Sequence, residues 1–260
     1  MTVRFEVADH VARVTIDRPK VLNAVDRAAE QELQRIWTEI EGNPDVRCVV
    51  LTGAGERAFC VGSDVSGAEE SGDVGFDYWM AERPGGFGGI ALRTTLDVPL
   101  IARVNGYALG GGFEMVLGCD IAVASENAQF GLTEPRVGFM PMDGGAVLLP
   151  RVIPMKWAMG MLLTGRRISA AEALGFGLLN EVVAMDDLDG AVDKWVEDVL
   201  ACAPPALRAI KQTVRRTLHM QPGEAVAQRL PAVVDWLRSE DAREGIKAFG
   251  EKRRPEWTGK

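Results

Sequence analysis

Three consecutive glycines, Gly110-Gly111-Gly112, sit inside the stretch NGYALGGGFEMVLGCD at Asn105–Asp120. They follow a β-type run, Leu100–Asn105, and open a helical pattern, Phe113–Leu117, that Gly118 closes. Glycines at a strand-to-helix junction let backbone approach backbone, or a ligand, more closely than any side chain permits. The unpaired N–H groups of the helix start then face whatever approaches, and they favour an anion or an incipient oxyanion.

Strands and helices alternate around this junction. Val3–Glu6 and Val11–Ile16 read as a hairpin with its turn at Asp9-His10, the second strand showing period-2 alternation. Asp26 is placed to cap a helix through Glu41, with Leu33, Ile36, Trp37 and Ile40 on one face. Val46–Thr52 is a β-branched run of the buried parallel type, and Arg57–Val65 reads as a short strand and turn. A polar, glycine-rich stretch, Ser66–Gly89, is long for a structureless loop. Helix is expected over Ile90–Leu96, and strand over Leu100–Asn105, Cys119–Ala124, Gln129–Gly131 and Gly177–Val183. A helix ending near Val152, another over Met155–Thr164 and a Ser169-capped one over Ala170–Phe176 fall between the last two of those strands. Leu188–Cys202, Ala206–Met220, Glu224–Leu230 and Pro231–Arg253 all read as helix. The expectation is an α/β core over 1–200 carrying the site and a helical C-terminal module over 201–260.

Composition excludes several classes. The 260 residues are 47% hydrophobic and 25% charged, the usage of a packed chain. A formal net charge of −8 argues against nucleic acid as partner. No apolar run reaches the roughly 20 residues of a membrane span, and the start, MTVRFEVADH, has no apolar signal core. Four scattered cysteines without a CxxC pair point to a reduced, cytoplasmic protein. Only His10 and His219 occur, so a His-based triad or a zinc site is not expected. The glycine run fits neither a phosphate-binding P-loop nor the dinucleotide fingerprint.

Three places carry residues suited to chemistry. Glu114 lies in the first turn after the glycines, where a carboxylate can act on a ligand or simply complement the helix end. Glu134 precedes a proline in FGLTEPRVGFMPMDGG; it is either a poorly solvated acid/base group or a surface partner of Arg136. Together they offer the paired carboxylates that acid/base work on a water needs. Gly62-Ser63-Asp64, after a strand, can bring a second backbone N–H to an oxyanion. Ser63 lacks the flanking glycines of a nucleophile elbow.

These segments, together with RPKVLNAV near the start and LTGRRISAAEALGFGLLNEVV later, resemble the crotonase (enoyl-CoA hydratase/isomerase) superfamily over nearly the whole chain. PGGFGG at 84–89, GGGFE at 110–114 and the tail at 239–257 give a finer resemblance to its carnitinyl-CoA dehydratase branch. The resemblance implies a spiral of ββα turns with a helical trimerisation module, assembled as a homotrimer or dimer of trimers. It implies an acyl-CoA thioester substrate and no separate cofactor or metal. The oxyanion hole would be the N–H groups of Ser63 and Gly111, with Ser63 where most members have Ala or Gly. Glu114 and Glu134 match the two hydratase glutamates, provisionally water base and C2 proton donor. Lys20, Val21 and Leu22 match the pantetheine and phosphate segment; Ala58, Cys60 and Ser63 match the adenine-side loop. Phe249 and Lys252 match the helix that reaches the nucleotide, often from a neighbouring subunit, although Lys252 also suits a solvated helix end.

For the acyl pocket the candidates are Trp79 and Phe87, with Phe76 and Tyr78 nearby, and Asp143. The aromatics suit a quaternary ammonium or plain packing; Asp143 suits that ammonium or the cap of the next helix. An isomerase using Glu134 alone and a non-catalytic acyl-CoA-binding subunit are the competing expectations.

Overall fold

The computed structural model describes residues 2–66, 80 and 82–260. Trp79, Phe76 and Tyr78 therefore lie outside the described residues. Among the described residues ten strands form two sheets. Strands β1 (Val3–Ala8), β2 (Val11–Ile16), β3 (Cys48–Gly53), β5 (Leu100–Val104), β7 (Ile121–Ser125) and β10 (Glu181–Val183) make a six-stranded sheet in that spatial order. Within this sheet the β1–β2 hairpin is antiparallel, and β2, β3, β5, β7 and β10 run parallel. The hairpin turns at Asp9 and His10, both at positive φ, a twist that suits strand pairing.

The second sheet is β4 (Ala58–Cys60), β6 (Tyr107–Leu109), β8 (Gln129–Gly131) and β9 (Ile168–Ser169). Strands β3, β5 and β7 of the first sheet thus hand over to β4, β6 and β8 of the second, so successive turns of chain stack as a spiral. Between them lies a core that includes Trp37, Phe59, Phe113 and Phe130. Helix α1 (Arg27–Gly42) buries Leu33, Ile36, Trp37 and Ile40 against it, started by an Asp26 carboxylate that accepts from the Ala29 N–H.

Among the described residues the further α-helices are α2 (Gly111–Gly118), α3 (Gly145–Val152), α4 (Met155–Thr164), α5 (Ala170–Gly175), α6 (Leu188–Leu200), α7 (Pro204–Thr217), α8 (Pro222–Ala227), α9 (Pro231–Arg238) and α10 (Glu240–Glu251). A capping box of Ser169 and Glu172 starts α5. Helix α7 is tied to the core where Lys211 Nζ meets Asp120 at 2.6 Å and the Val98 carbonyl. Arg215 donates to the Gly118 carbonyl at the end of α2.

Three expectations are corrected. Ile90–Leu96 forms turns rather than a helix: Gly88 and Gly89 sit at positive φ, and Arg215 takes up the carbonyls of Arg93 and Leu96. Pro231–Arg253 is two helices, because Ser239 turns extended and caps the second through the Ala242 N–H. The helix expected over Ala206–Met220 starts two residues earlier, at Pro204, as proline at the first helical turn allows, and ends at Thr217. Strand β6, three residues long, is additional to the expected elements.

Candidate active site

The glycine triplet joins β6 to α2, and each glycine is needed for a different reason. Gly110 has φ +53°. A methyl group on Gly111 would lie 2.5 Å from the Phe87 ring, and one on Gly112 would collide with the Cys60 carbonyl. Packing this close draws the β4 turn against the start of α2: a Cβ on Gly62 would stand 3.2 Å from the Gly111 nitrogen.

Ser63 forms a one-residue parallel bridge with Val25. There Val25 N–H donates to Gly62 and Asp64 N–H donates to Val25, so the Ser63 N–H points away from Val25. The Gly111 N–H is in the first turn of α2, where no intrahelical acceptor exists. The two expected oxyanion amides are therefore on adjoining turns.

This arrangement is braced by residues that the sequence reading passed over. Buried Asn23 and Asn105 both donate to the Ala58 carbonyl, at 2.7 and 3.0 Å. Asn23 also holds the Ala54 carbonyl and Asn105 the Gly55 carbonyl. Arg18 pairs with Asp26 and Asp64, at 2.8 and 3.0 Å, fixing the far side of Ser63. Burial opposes ionisation of Asp64, but hydrogen bonds from Ser66 and Arg18 outweigh it and hold its carboxyl below the usual range. The signal for the asparagines is their apolar surroundings, since a polar side chain there must find backbone to bond.

Glu114, on α2, is 3% exposed. Its Oε1 accepts the Gly145 N–H at 2.8 Å. Burial is the main force pushing its carboxyl up to about 8; the Gly145 hydrogen bond opposes this, while the Asp143 and Glu134 charges add to it. Glu134 opens a short 3-10 turn, Glu134–Val137. It reaches the glycine turn, since a Cβ on Gly110 would be 3.4 Å from Glu134 Oε1. Burial also raises the Glu134 carboxyl, and its Oε2 is buried with no partner among the described residues. Arg136 turns away to the Thr164 carbonyl, so Glu134 is not a surface ion pair.

Two carboxyls with raised proton affinity, Glu114 buried and Glu134 half-buried, thus lie within electrostatic reach of each other, one held by main-chain donors and one with an oxygen that no described residue pairs. Like charges in a poorly solvated site cannot both ionise cheaply, so the pair retains a proton near neutrality. The arrangement can take a proton with one carboxyl and give one with the other, beside two N–H donors for a carbonyl oxygen.

Phe87 is buried against Gly111 and so reaches the site. Asp143 does not cap α3: Gly144 takes the cap position, and Asp143 pairs with Arg83 at 2.7 Å. Lys20 and Val21 are exposed on a 3-10 turn, Pro19–Val21, and Leu22 follows at φ +55°. Ala58 and Cys60 are fully buried strand residues, and burial pushes the Cys60 thiol up to about 12. They can offer a ligand only main chain. Phe249 is 88% exposed on α10, and Lys252 ends that helix in a left-handed conformation. Helix α10 packs on α7 and α9, away from the two glutamates.

A family model described as enoyl-CoA hydratase/isomerase matches residues 6–260. The chain is 39% identical to (E)-benzylidenesuccinyl-CoA hydratase of Thauera aromatica, over the full length of both proteins. It is 38% identical to carnitinyl-CoA dehydratase of Escherichia coli K12, over 96% of this chain and 95% of the relative. Its fold superimposes on the crystal structure of an enoyl-CoA hydratase from Bacillus anthracis with a TM-score of 0.90, at 33% identity and full coverage of both chains.

Proposed function

Because the chain belongs to the enoyl-CoA hydratase/isomerase family, we propose that it is a hydro-lyase that adds water reversibly across the double bond of a 2-enoyl-CoA thioester. The observation that carries this reading is the pair of carboxyls with raised proton affinity, buried Glu114 and half-buried Glu134, which lie close enough for the Glu134 charge to bear on Glu114. An isomerase needs only one such group to move a proton.

In the proposed mechanism the thioester oxygen accepts hydrogen bonds from the Ser63 and Gly111 amides. They stabilise the enolate that forms as water attacks C3. Glu114, fixed by Gly145, takes the proton of the attacking water; Glu134 gives a proton to C2. The C3–O and C2–H bonds form, the double bond is consumed, and one proton has moved from Glu134 to Glu114. Dehydration starts from that second state: Glu114 protonates the departing hydroxyl and Glu134 removes the C2 proton. The strong proton affinity of Glu114 matches this starting state. The reaction balances with two carboxyls and requires no cofactor, CoA being part of the substrate.

CoA would lie over the 3-10 turn carrying Lys20, Val21 and Leu22 and along the main chain of Ala58, Cys60 and Ser63. Phe249 and Lys252 would meet its nucleotide end from a neighbouring subunit. The acyl group would face Phe87 and the Asp143 loop, with carnitinyl-CoA as one candidate form beside the benzylidenesuccinyl-CoA of the other relative. The division into a core, 1–200, and a helical module, 201–260, accompanies assembly as a trimer or a dimer of trimers. An apolar groove of about 450 Å³ between α7, α8 and α9, lined by Ile210, Val214, Val226 and Trp236, supports such association. The unpaired cysteines Cys48, Cys60, Cys119 and Cys202 suit the cytoplasm.

The test follows loss of enoyl-thioester absorbance with crotonyl-, crotonobetainyl- and benzylidenesuccinyl-CoA. Turnover of at least one, abolished by Glu114→Gln and by Glu134→Gln, is expected. Activity on a 3-enoyl-CoA that survives Glu114→Gln would replace hydration with isomerisation.

A further inference from the structure

We propose that Arg83 is a positioning residue for Glu114, acting through its ion pair with Asp143; this rests on the reading of Glu114 as the carboxyl that handles water. The Arg83 Nη1 to Asp143 Oδ2 distance is 2.7 Å, and the two side chains are 13% and 19% exposed. Asp143-Gly144-Gly145 is the segment whose main chain holds Glu114, through the Gly145 N–H at 2.8 Å. Arg83 thus grips the same short loop that fixes the carboxyl.

The contact is built into the backbone as well. A Cβ on Gly86 would lie 2.9 Å from the Asp143 carbonyl, and one on Gly144 would lie 3.2 Å from a Leu92 methyl. Residues 83–92 therefore rest directly on the loop 143–144. The same segment carries Phe87, whose ring fills the space beside Gly111. One stretch of chain bridges the wall of the acyl site, an oxyanion amide and the loop that holds Glu114.

The charges give this bridge a second effect. The groups acting on Glu114 are Asp143, from the loop before α3, and Glu134, from its 3-10 turn; both are acidic and both oppose ionisation of Glu114. The Arg83 guanidinium neutralises one of them. Without it, the Asp143 carboxylate either adds its full repulsion to a buried carboxyl or swings to water and takes the loop along. Both routes disturb Glu114, and a displacement of about 1 Å at a catalytic group can cost up to about a hundredfold in rate.

The test compares Arg83→Met, Arg83→Lys, Asp143→Asn and the Arg83→Met/Asp143→Asn double variant with the parent protein. One readout is kcat and KM on the best of the three thioesters above. The other needs no substrate: the titration of the Glu114 carboxyl, followed by carbon-13 NMR in glutamate-labelled protein and assigned with Glu114→Gln. Arg83→Met is expected to lower kcat about tenfold or more with little change in KM. It should also move the Glu114 titration to higher pH. Arg83→Lys should restore most of both, and Asp143→Asn should move the titration to lower pH. The double variant should return the midpoint towards the parent value, with a kcat loss smaller than the product of the single losses.

A Glu114 titration unmoved by Arg83→Met, or single losses that multiply in the double variant, would overturn the proposal. If Arg83→Met does not fold, an unmoved titration in Asp143→Asn overturns it equally. Failure of the parent protein to hydrate any thioester would count against the hydratase reading alone, since the titration still decides the link from Arg83 to Glu114.

Discussion

Glu114→Gln should make the protein more stable in alkali while disabling it. The unfolded chain ionises this carboxyl near 4.5, whereas the native site holds its proton until about 8. The native state therefore binds the extra proton between those values. Its stability is fully favoured below pH 4.5 and declines as pH rises through about 8. At 1.36 kcal/mol per pH unit the full displacement corresponds to about 5 kcal/mol. Water entry and relaxation reduce it, so about 2–5 kcal/mol is expected at pH 9. Gln cannot ionise, yet its carbonyl can still accept the Gly145 N–H that Glu114 Oε1 accepts at 2.8 Å. Chemical denaturation of both proteins at pH 5 and pH 9 measures the effect. The stability advantage of Gln should grow between the two pH values, and kcat should fall by about 10²–10⁴. An advantage that is the same at both pH values would mean that Glu114 is ionised and solvated in the native protein, which would refute the reasoning.

Other substitutions probe the frame around the carboxyls. Gly112→Ala drives a methyl group into the Cys60 carbonyl; a loss of about 1–3 kcal/mol, read by thermal unfolding, is expected. Asn105→Ala strips a donor from the Ala58 and Gly55 carbonyls; it should cost about 1–3 kcal/mol and lower kcat more than it raises KM. Lys211→Met removes the buried ammonium that meets the partly exposed Asp120 carboxylate and the Val98 carbonyl; about 1–3 kcal/mol should be lost in urea unfolding. Ser63→Ala should leave kcat nearly unchanged, because the main-chain N–H is retained; losing such a donor would cost about 10²–10³.

Local chemistry made much of the fold readable. Asp26 starts its helix as any short acidic N-cap would, and the Asp9-His10 turn follows from two alternating runs with polar residues between them. The glycine triplet was informative because backbone collides there with anything larger. Glu114 and Glu134 were individually ambiguous: helix-end complementarity explained one and Arg136 the other. They meet because β6 and β8 pair in parallel register, Tyr107 with Gln129, a long-range fact that no local periodicity carries. The likeness to a known family supplied that link. Asp143 misled for the same reason. It has the composition of a cap, but its partner, Arg83, lies sixty residues earlier. Residues 90–96 had helical spacing, yet two glycines at positive φ and the reach of Arg215 settled them as turns. Asn23 and Asn105 went unremarked because their task is to satisfy carbonyls brought close only by the fold.

The central claim is that the two carboxyls add water rather than merely move a proton. It is tested most directly by mass spectrometry of the product formed in oxygen-18 water and, separately, in deuterium oxide, with the thioester that the protein turns over best. The account predicts one solvent oxygen at C3 and one solvent hydrogen at C2 in each product molecule, both lost in Glu114→Gln and Glu134→Gln. Solvent hydrogen incorporated without solvent oxygen would contradict it.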